Sequence, residues 1–237
     1  MTGGAVRLGR ATALALARAG ADVVIHYRES ADEARATVRD LEACGVRGWA
    51  VRGELREEAE ARRVVDEARS LAGPIDILVN SASMFPKAKF EDFTREELIG
   101  SIDVNAWAPL VLARRVVEQA ESGHIVNFLD TRAFDYDWAH VAYHASKVLL
   151  ELFTREMALR WAPRFQVNAV APGLVLPPPG ESADYVERLL KTNPLERAGT
   201  PEEIASAVVF LAGSRFVTGQ VLFVDGGRHL RASSRGG

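Results

Sequence analysis

The chain has 237 residues, of which 48% are hydrophobic and 26% charged, and its formal net charge is −3 at pH 7. This balance is typical of a single globular domain, and the slight acidity argues against nucleic acid as a partner. No apolar run reaches the ~20 residues of a membrane span, no secretory signal is visible, and the lone Cys44 excludes a disulfide or a cysteine-based metal site, so we expect a cytoplasmic protein without membrane contact or bound metal.

Short β-branched runs alternate with stretches of helical periodicity, which predicts βαβ units and an α/β, doubly wound parallel sheet of the Rossmann type. Strands are predicted at 22–27, 49–52, 75–80, 124–129, 165–170 and 220–225. Helices are predicted at 8–19, 31–45, 56–71, 95–120, 142–161, 184–192 and 201–213. Helix starts are indicated by Ser or Thr followed three residues later by Glu, at Ser30 and Glu33, Thr94 and Glu97, and Thr200 and Glu203.

A doubly wound sheet of this kind is expected to have a further strand before the glycine-rich stretch, and the sequence pattern predicts none there. The glycine-rich stretch MTGGAVRLG, residues 1–9, leads directly into a helix, and only Met1 precedes Thr2. The missing strand would lie in the middle of the sheet, where unpaired backbone groups of its neighbours cost ~1–3 kcal/mol each. Either the start is assigned late and an apolar strand lies upstream, or the central position is vacant or filled by other residues.

The remaining sequence indicates one domain. Residues 1–230 are predicted to form a single dinucleotide-binding catalytic domain, because no repeat, linker or low-complexity block interrupts them. The chain ends in the basic, Gly- and Ser-rich segment RHLRASSRGG, of which residues 231–237 are predicted to be a flexible tail.

The glycine-rich turn predicts a phosphate site. A helix N-terminus suits a pyrophosphate, because its N–H groups point outward and its dipole favours negative charge. Gly3 and Gly9 would let the backbone approach the phosphates closely. Arg7 lies within the turn, either as a cation for an additional phosphate or as an exposed surface arginine.

The end of the strand at 22–27 indicates which dinucleotide binds. A site for NAD usually has Asp or Glu there, which accepts hydrogen bonds from the ribose 2′-hydroxyl. This chain instead has His26, Tyr27, Arg28, Glu29 and Ser30. Arg7, Arg28 and the Ser30 hydroxyl are candidates to hold a 2′-phosphate, since a guanidinium donates two parallel bonds to a phosphate, although Glu29 opposes this. We therefore expect NADP(H) as the cofactor.

A second group of residues indicates proton chemistry. Tyr143 and Lys147 are spaced i,i+4 and share one helix face. Lys147 is expected to lower the pKa of the Tyr143 phenol and so make it a usable acid or base. Asp130 ends the preceding strand, at the sheet edge where ligands of open α/β sheets bind; alternatively it faces water and Thr131 is the partner. Asn105 is either a residue that orders a water beside Lys147 or a helix-surface amide.

Taken together, these motifs resemble the short-chain dehydrogenase/reductase family. The motifs are TGGAVRLG at 2–9, NSAS at 80–83, Asn105, Asp130, YHASK at 143–147, NAVAPG at 168–173 and VDGG at 224–227. They occur in the family's order and cover residues 2–228. The resemblance implies a seven-stranded doubly wound sheet, a nicotinamide cofactor and a homotetramer.

Within the family, three features are similar to the pteridine reductase branch. Arg7 gives the turn the form TGxxxRxG, Asp130 replaces the usual serine, and Phe85 follows NSAS where that branch has a phenylalanine that stacks the pterin against the nicotinamide. The stretch VVIHYRES also resembles that branch. The resemblance implies that Tyr143 is the proton donor, that Asp130 pairs with it and with the substrate, and that Lys147 holds the nicotinamide ribose.

The resemblance also implies which residues contact the ligands. Cofactor contacts are expected at Gly3, Arg7, Leu8, Gly9, His26, Arg28, Ser30, Glu54, Leu55, Asn80, Ala82, Tyr143, Lys147, Pro172, Gly173 and Val175. Substrate contacts are expected at Ser83, Phe85, Asp130 and Tyr143, with Tyr143, Lys147, Asp130 and Asn105 as the catalytic group. The chain departs from the family at Ser81, at Glu54, and in LVLPPPG, which lacks the threonine that many members use at the cofactor amide.

The carboxylate at position 130 suggests the reaction. It would repel a developing alkoxide, but it can accept hydrogen bonds from the N–H and amino groups of a pterin or relay a proton. The first hypothesis is therefore NADPH-dependent reduction of a C=N bond in a pterin or dihydrofolate-like small molecule. The alternatives are a carbonyl reductase of the 3-oxoacyl thioester type and a non-catalytic nucleotide-binding scaffold. The segment DYDWAH, 135–140, either shapes substrate choice or is a plain loop.

Overall fold

The computed structural model describes residues 1–178, 180 and 184–232. Its strands are β1 (Val23–Tyr27), β2 (Gly48–Arg52), β3 (Ile77–Asn80), β4 (Gly123–Phe128), β5 (Phe165–Pro172) and β6 (Val221–Val224). All pairings between them are parallel, β1 with β2 in one sheet and β3-β4-β5-β6 in the other. The six strands lie where the sequence pattern predicts them, with ends shifted by one or two residues.

The first residues of the chain lie between the two sheets. Thr2 donates its N–H to the carbonyl of Val79 in β3, at 2.9 Å, and forms a parallel bridge with Asn80. On the other side, the carbonyl of Met1 accepts the N–H of His26 in β1, at 2.8 Å. This short segment thus occupies the end of the central position at which a further strand is expected, and it joins β1 to β3.

Helices cover both faces of the strands. They are α1 (Arg7–Arg18), α2 (Ala31–Ala43), α3 (Glu58–Ala72), α4 (Arg95–Ile102), α5 (Ala108–Gln119), α6 (Val141–Trp161), α7 (Asp184–Leu189), α8 (Pro201–Gly213) and α9 (Arg228–Ala232). Adjacent strand residues point to opposite faces: Val79 of β3 belongs to the core with α1, α2 and α8, whereas Leu78 belongs to the core with α3 and α5. Both faces are therefore buried, as a doubly wound parallel sheet requires. No helix among the described residues is long and apolar enough to cross a membrane.

Two of the three predicted helix caps form. The hydroxyls of Thr94 and Thr200 accept the N–H groups of Glu97 and Glu203, whose carboxylates bond back to the threonine N–H groups. Ser30 precedes α2 without any side-chain cap bond, so the capping box predicted there is wrong. Its backbone, at φ −78° and ψ 61°, lacks the extended conformation that most N-caps have.

Two further elements differ from the predictions. The helix predicted at 95–120 is divided by a π-helical turn, Asp103–Trp107, a feature that often occurs at functional sites. The end of the chain, expected to fray, forms α9, which packs against the 3₁₀ turn Thr131–Phe134. Part of the predicted flexible tail is thus helical, and residues 233–237 lie outside the described part, as do residues 179 and 181–183 of the proline-rich loop.

Candidate active site

A cleft of about 1030 Å³ opens at the carboxyl ends of the strands. This is the edge at which open α/β sheets bind their ligands. The predicted site residues that line it are Gly3, Arg7, Leu8, Gly9, His26, Arg28, Ser30, Glu54, Leu55, Ala82, Ser83, Phe85, Asp130, Tyr143, Lys147, Pro172, Gly173 and Val175. Asn80 and Asn105 are the predicted site residues that do not line it.

The glycine-rich turn lies at one wall of the cleft, immediately before α1. Gly3 has a φ of +61°, which favours glycine. A Cβ atom at Gly9 would lie 1.9 Å from the carbonyl oxygen of Gly3, so only glycine fits there. The hydroxyl of Thr2 accepts the N–H groups of Ser81 and Ala82, each at 3.0 Å, and fixes the turn to the loop after β3. These glycines leave backbone N–H groups at a helix N-terminus accessible to a phosphate.

Arg7 has a left-handed backbone, with a φ of +53°. Its guanidinium donates a 2.5 Å hydrogen bond to the carbonyl of Pro177, in the loop that follows β5. The candidates Arg28 and Ser30 follow β1 and line the same cleft. That Arg7, Arg28 and Ser30 hold one phosphate stays a prediction.

The side chains after β1 form weak ion pairs at the cleft surface. Arg28 lies 3.2 Å from the carboxylate of Glu29 and 3.7 Å from that of Glu54. Exposed pairs of this kind contribute ~0–1 kcal/mol, so a bound phosphate can replace them. Because Ser30 makes no cap bond, its hydroxyl is not committed to the start of α2.

His26 is a structural residue rather than a phosphate ligand. Its Nε2 lies 3.0 Å from the carbonyl of Gly53, and its Nδ1 accepts the N–H of Gly3 at 3.4 Å. Because a carbonyl can only accept, we assign the ring hydrogen to Nε2. Burial lowers the pKa of His26 to about 4, so the ring is neutral at pH 7. The side chain links the glycine-rich turn to the turn after β2, and a cofactor contact at His26 stays a prediction.

Tyr143 and Asp130 form a hydrogen-bonded pair in the cleft. The Tyr143 hydroxyl donates to Asp130 Oδ2 at 2.8 Å, while Asp130 Oδ1 accepts the backbone N–H of Arg132 at 2.8 Å. Burial raises the pKa of Tyr143 well above its usual value, and the charge of Asp130 and this hydrogen bond raise it further. The expected lowering of the phenol pKa is therefore wrong in this structure. The alternative in which Asp130 faces water is also wrong.

Lys147 lies one turn further along α6. Its Nζ is 5.6 Å from the centre of the Tyr143 ring and donates to the carbonyl of Phe128 at 2.8 Å. Burial lowers the pKa of Lys147 to about 8. Because the ammonium group is directed at the end of β4 and the phenol at Asp130, Lys147 does not govern the state of the phenol here.

Asn105 acts on the loop after β3 and not on the cleft directly. It lies in the π-helical turn and is fully buried. Its Oδ1 accepts the N–H of Met84 and the hydroxyl of Ser83, and its Nδ2 donates to the carbonyl of Met84 and the hydroxyl of Ser146, at distances of 2.9 to 3.1 Å. These four bonds use the whole capacity of an amide. The predicted role of ordering a water is therefore corrected to one of holding the 83–84 segment.

Asn80 also belongs to the interior. Its Nδ2 donates to the side-chain oxygen of Asn127 at 2.9 Å, and Asn127 donates in turn to Thr154 on α6, also at 2.9 Å. This chain of bonds ties β3, β4 and α6 together beneath the cleft. The Asn80 amide is therefore bonded within the sheet, and a cofactor contact at this residue stays a prediction.

The wall opposite the glycine-rich turn is built from aromatic rings. Phe85 stacks on His140 with ring centres 4.1 Å apart and meets Tyr143 edge-on at 4.6 Å. The guanidinium of Arg132 lies 5.0 Å from the centre of the Phe85 ring. Tyr185 of α7 also lines this part of the cleft. Sequence reasoning did not identify Arg132, His140 or Tyr185, and the one available signal was the flagged segment DYDWAH, which contains His140.

The fold and this site define a class: a doubly wound dinucleotide-binding protein with a tyrosine, a carboxylate and a lysine at the end of its cofactor cleft. A family model described as enoyl-(acyl carrier protein) reductase matches residues 4–229. The chain belongs to the short-chain dehydrogenase/reductase family.

Individual relatives in the comparisons differ in activity. The 3-oxoacyl-[acyl-carrier-protein] reductase FabG of Staphylococcus epidermidis is 30% identical over 97% of this chain and 98% of its own length. The crystal structure of FolM alternative dihydrofolate reductase 1 from Brucella suis, in complex with NADP, has a TM-score of 0.92 and 34% identity over 97% of this chain and 93% of that one. A short-chain dehydrogenase/reductase from Serratia marcescens has a TM-score of 0.91 and 30% identity, with 96% of both chains covered.

Proposed function

We propose that this protein is an NADPH-dependent reductase of a C=N bond in a pterin or dihydrofolate-like substrate. The observation that carries the proposal is the hydrogen bond from Tyr143 to the carboxylate of Asp130, beneath the ring of Phe85. The likeness to the Brucella suis FolM structure supports it. That the protein is an NADP(H)-dependent oxidoreductase follows from the family and from the cleft.

The chain's own residues fit the cofactor. The pyrophosphate would lie at the N-terminus of α1, where Gly3 and Gly9 leave room. Arg28 and Ser30 would hold the 2′-phosphate of NADP, and Lys147 the nicotinamide ribose. When bound, the cofactor supplies a hydride. The protein has to orient the acceptor carbon and deliver a proton.

The pair Tyr143 and Asp130 suits a nitrogen heterocycle. An ionised carboxylate accepts hydrogen bonds and repels an alkoxide, so Asp130 would favour N–H and amino groups over a carbonyl oxygen. Tyr143, whose pKa is raised by burial, remains protonated at neutral pH and is a proton donor. Phe85 offers a flat face for a planar ring.

A second candidate is a carbonyl reductase that acts on a 3-oxoacyl thioester. The resemblance to the Staphylococcus epidermidis FabG favours it. The carboxylate at position 130 argues against it, because Asp130 would repel the alkoxide that develops on the carbonyl oxygen as the hydride adds.

The test is NADPH oxidation with dihydrobiopterin, dihydrofolate and acetoacetyl thioester in parallel. We expect turnover of one or both pterin-type substrates and no more than trace turnover of the thioester, with all activity lost in Tyr143→Phe. Thioester turnover without pterin turnover would overturn the proposal. Silence with every substrate, together with no NADPH binding in a fluorescence titration, would instead favour a non-catalytic scaffold.

We also propose that the protein is a homotetramer, as the family resemblance implies. The outer face of α6 exposes Leu152 and Leu159, the latter 85% accessible, and exposed apolar patches mark association surfaces. Light scattering coupled to size-exclusion chromatography measures the mass directly. A monomer at micromolar concentration would contradict this part of the proposal.

A further inference from the structure

Arg132 is the charged residue that connects the catalytic pair to the aromatic wall. Its backbone N–H holds Asp130 Oδ1 at 2.8 Å, which leaves Oδ2 for the hydroxyl of Tyr143. Its guanidinium lies against the ring of Phe85, 5.0 Å from the ring centre. One residue therefore contacts the carboxylate through its main chain and the substrate wall through its side chain.

The guanidinium is held in place by three side chains. It forms a close ion pair with Asp137, donates to the Tyr185 hydroxyl at 3.1 Å, and lies 3.2 Å from Nδ1 of His140. Asp137 also accepts the N–H groups of Ala139 and His140 just before α6, at 2.9 and 3.0 Å. The side chains of Arg132 and Asp137 are 22% and 12% accessible, so this pair is largely removed from water. Arg132 is thus fixed beside the site rather than free to move in solvent.

The reaction proposed above creates an electrostatic problem at this pair. As the hydride adds to the carbon of the C=N bond, the π electrons move to the nitrogen, which takes the proton of Tyr143. The O–H bond breaks, an N–H bond forms, and the phenolate of Tyr143 is left 2.8 Å from the oxygen of Asp130. Two negative oxygens at that distance repel each other strongly in a buried site. The phenol is then restored by a proton from water.

We propose that Arg132 is a positioning residue whose fixed positive charge allows Tyr143 to release its proton while Asp130 is ionised. Asp137 and Tyr185 serve the same purpose indirectly, because they hold the guanidinium at this location. The electrostatic effects on Tyr143 have the direction that this proposal requires. Burial and Asp130 raise the pKa of Tyr143, whereas the charge of Arg132 lowers it. The inference rests on the proposed role of Tyr143 as proton donor.

Other charged groups face the pair from the surrounding elements. Lys147 of α6 is the second cation, but its ammonium group bonds to the carbonyl of Phe128. From α9, Arg228 lines the same cleft. Asp137 and His140 face it from the segment before α6. Asp137 adds negative charge, which offsets part of the effect of Arg132, but Arg132 has the larger effect of the two on Tyr143.

The experiment compares Arg132→Gln, Arg132→Lys and Asp137→Asn with the wild-type protein. For Arg132→Gln we expect kcat to fall about 10-fold or more, because a weaker acid transfers its proton more slowly. The solvent deuterium isotope effect on kcat should rise, as proton transfer becomes more rate-limiting. Arg132→Lys should recover most of the rate, and Asp137→Asn should give a smaller loss. Arg115→Gln, which breaks an exposed pair with Asp66 on α3, is the matched control and should leave kcat unchanged.

The outcomes separate this inference from the proposed function. If the wild-type protein reduces none of the substrates, the proposed function fails. If the wild-type protein is active and Arg132→Gln keeps its kcat and isotope effect, the inference about Arg132 is wrong. A loss of kcat with an unchanged isotope effect, and equally poor activity of Arg132→Lys, would assign Arg132 a purely structural role and also overturn it. Melting temperatures of all variants identify any that fail to fold. If Arg132→Gln is one of them, the kcat and the isotope effect of Arg132→Lys decide whether the inference holds.

Discussion

The phenol hydroxyl of Tyr143 donates a 2.8 Å hydrogen bond to the carboxylate of Asp130. Its acceptor is therefore a carboxylate and not a neutral hydroxyl. This relationship keeps Tyr143 protonated at neutral pH but makes it a weaker acid than a free phenol, because burial and the adjacent carboxylate both raise its pKa. Under the proposed function, Asp130 would accept hydrogen bonds from the N–H groups of the substrate.

Substitution of Asp130 should change the substrate preference. We expect Asp130→Asn to lower kcat for dihydropterin reduction about 100-fold, since it loses the anionic acceptor. Asp130→Ser should lower it as well but gain measurable reduction of a carbonyl substrate, because a hydroxyl can donate to a developing alkoxide. NADPH oxidation with both substrate types checks this. The control is Asp135→Asn, which replaces a carboxylate five residues further along the chain. Equal losses of activity with both substrates in Asp130→Ser would contradict the prediction.

Removal of the Arg28 side chain should weaken NADPH binding selectively. The guanidinium is the cation at the end of β1, where it is paired weakly with Glu29 and Glu54. We expect Arg28→Ala to raise the Kd of NADPH about 10-fold, the ~1.4 kcal/mol of one charge-assisted contact, and to leave that of NADH unchanged. Fluorescence titration with both cofactors measures this. Arg35→Ala, on the exposed face of α2, should affect neither, and a parallel loss for NADH would exclude a phosphate contact.

Arg7 should show opposite effects on stability and on cofactor binding. The left-handed backbone of Arg7 destabilises the folded protein by ~1 kcal/mol, and a glycine at this position would not be strained in this way. Arg7→Gly is therefore expected to keep or slightly raise the free energy of unfolding, even though the bond to Pro177 is lost. It should nevertheless weaken NADPH binding several-fold, because a cation that lines the cleft is removed. Urea denaturation measures the effect on the free energy of unfolding, and cofactor titration measures the effect on NADPH binding. Arg7→Lys, which keeps the positive charge, is the control.

His26 should make stability depend on pH. Its pKa is about 4 in the folded protein and ~6.5 in an unfolded chain, so the unfolded chain takes up the proton first as the pH falls. The contribution of the neutral ring to the free energy of unfolding is fully present above pH ~6.5. It is lost progressively as the pH falls toward 4, and the loss amounts to about 3 kcal/mol. Denaturant unfolding between pH 7 and pH 4 measures the slope.

The variant His26→Gln isolates this contribution from those of the carboxylates. A glutamine can donate to the carbonyl of Gly53 but takes up no proton in this range. We expect the variant to be less stable than wild type at pH 7 and to lose less stability toward pH 4. Parallel curves for the two proteins would show that His26 is not responsible.

Much of the cleft could be predicted from short stretches of sequence. The glycine-rich turn, the i,i+4 spacing of Tyr143 and Lys147, and the strand end at Asp130 are local patterns, and each residue lies in the cleft as expected. The sequence was less informative where a side chain could form hydrogen bonds either with a ligand or within the protein. Asn80 and Asn105 were expected to serve the ligands, yet both amides are bonded within the protein. A polar residue in a motif does not reveal which way its amide points.

The sequence by itself determined the class of fold, six strand positions, the two threonine caps and the set of residues at the strand ends, because periodicity and capping depend on neighbours only a few residues away. The tertiary structure decided the direction of Arg7, the neutral state of His26 and the partner of Tyr143. It also brought Arg132 to Tyr185, 53 residues along the chain. These properties depend on burial and on charges from distant segments, and both exist only after the chain has folded.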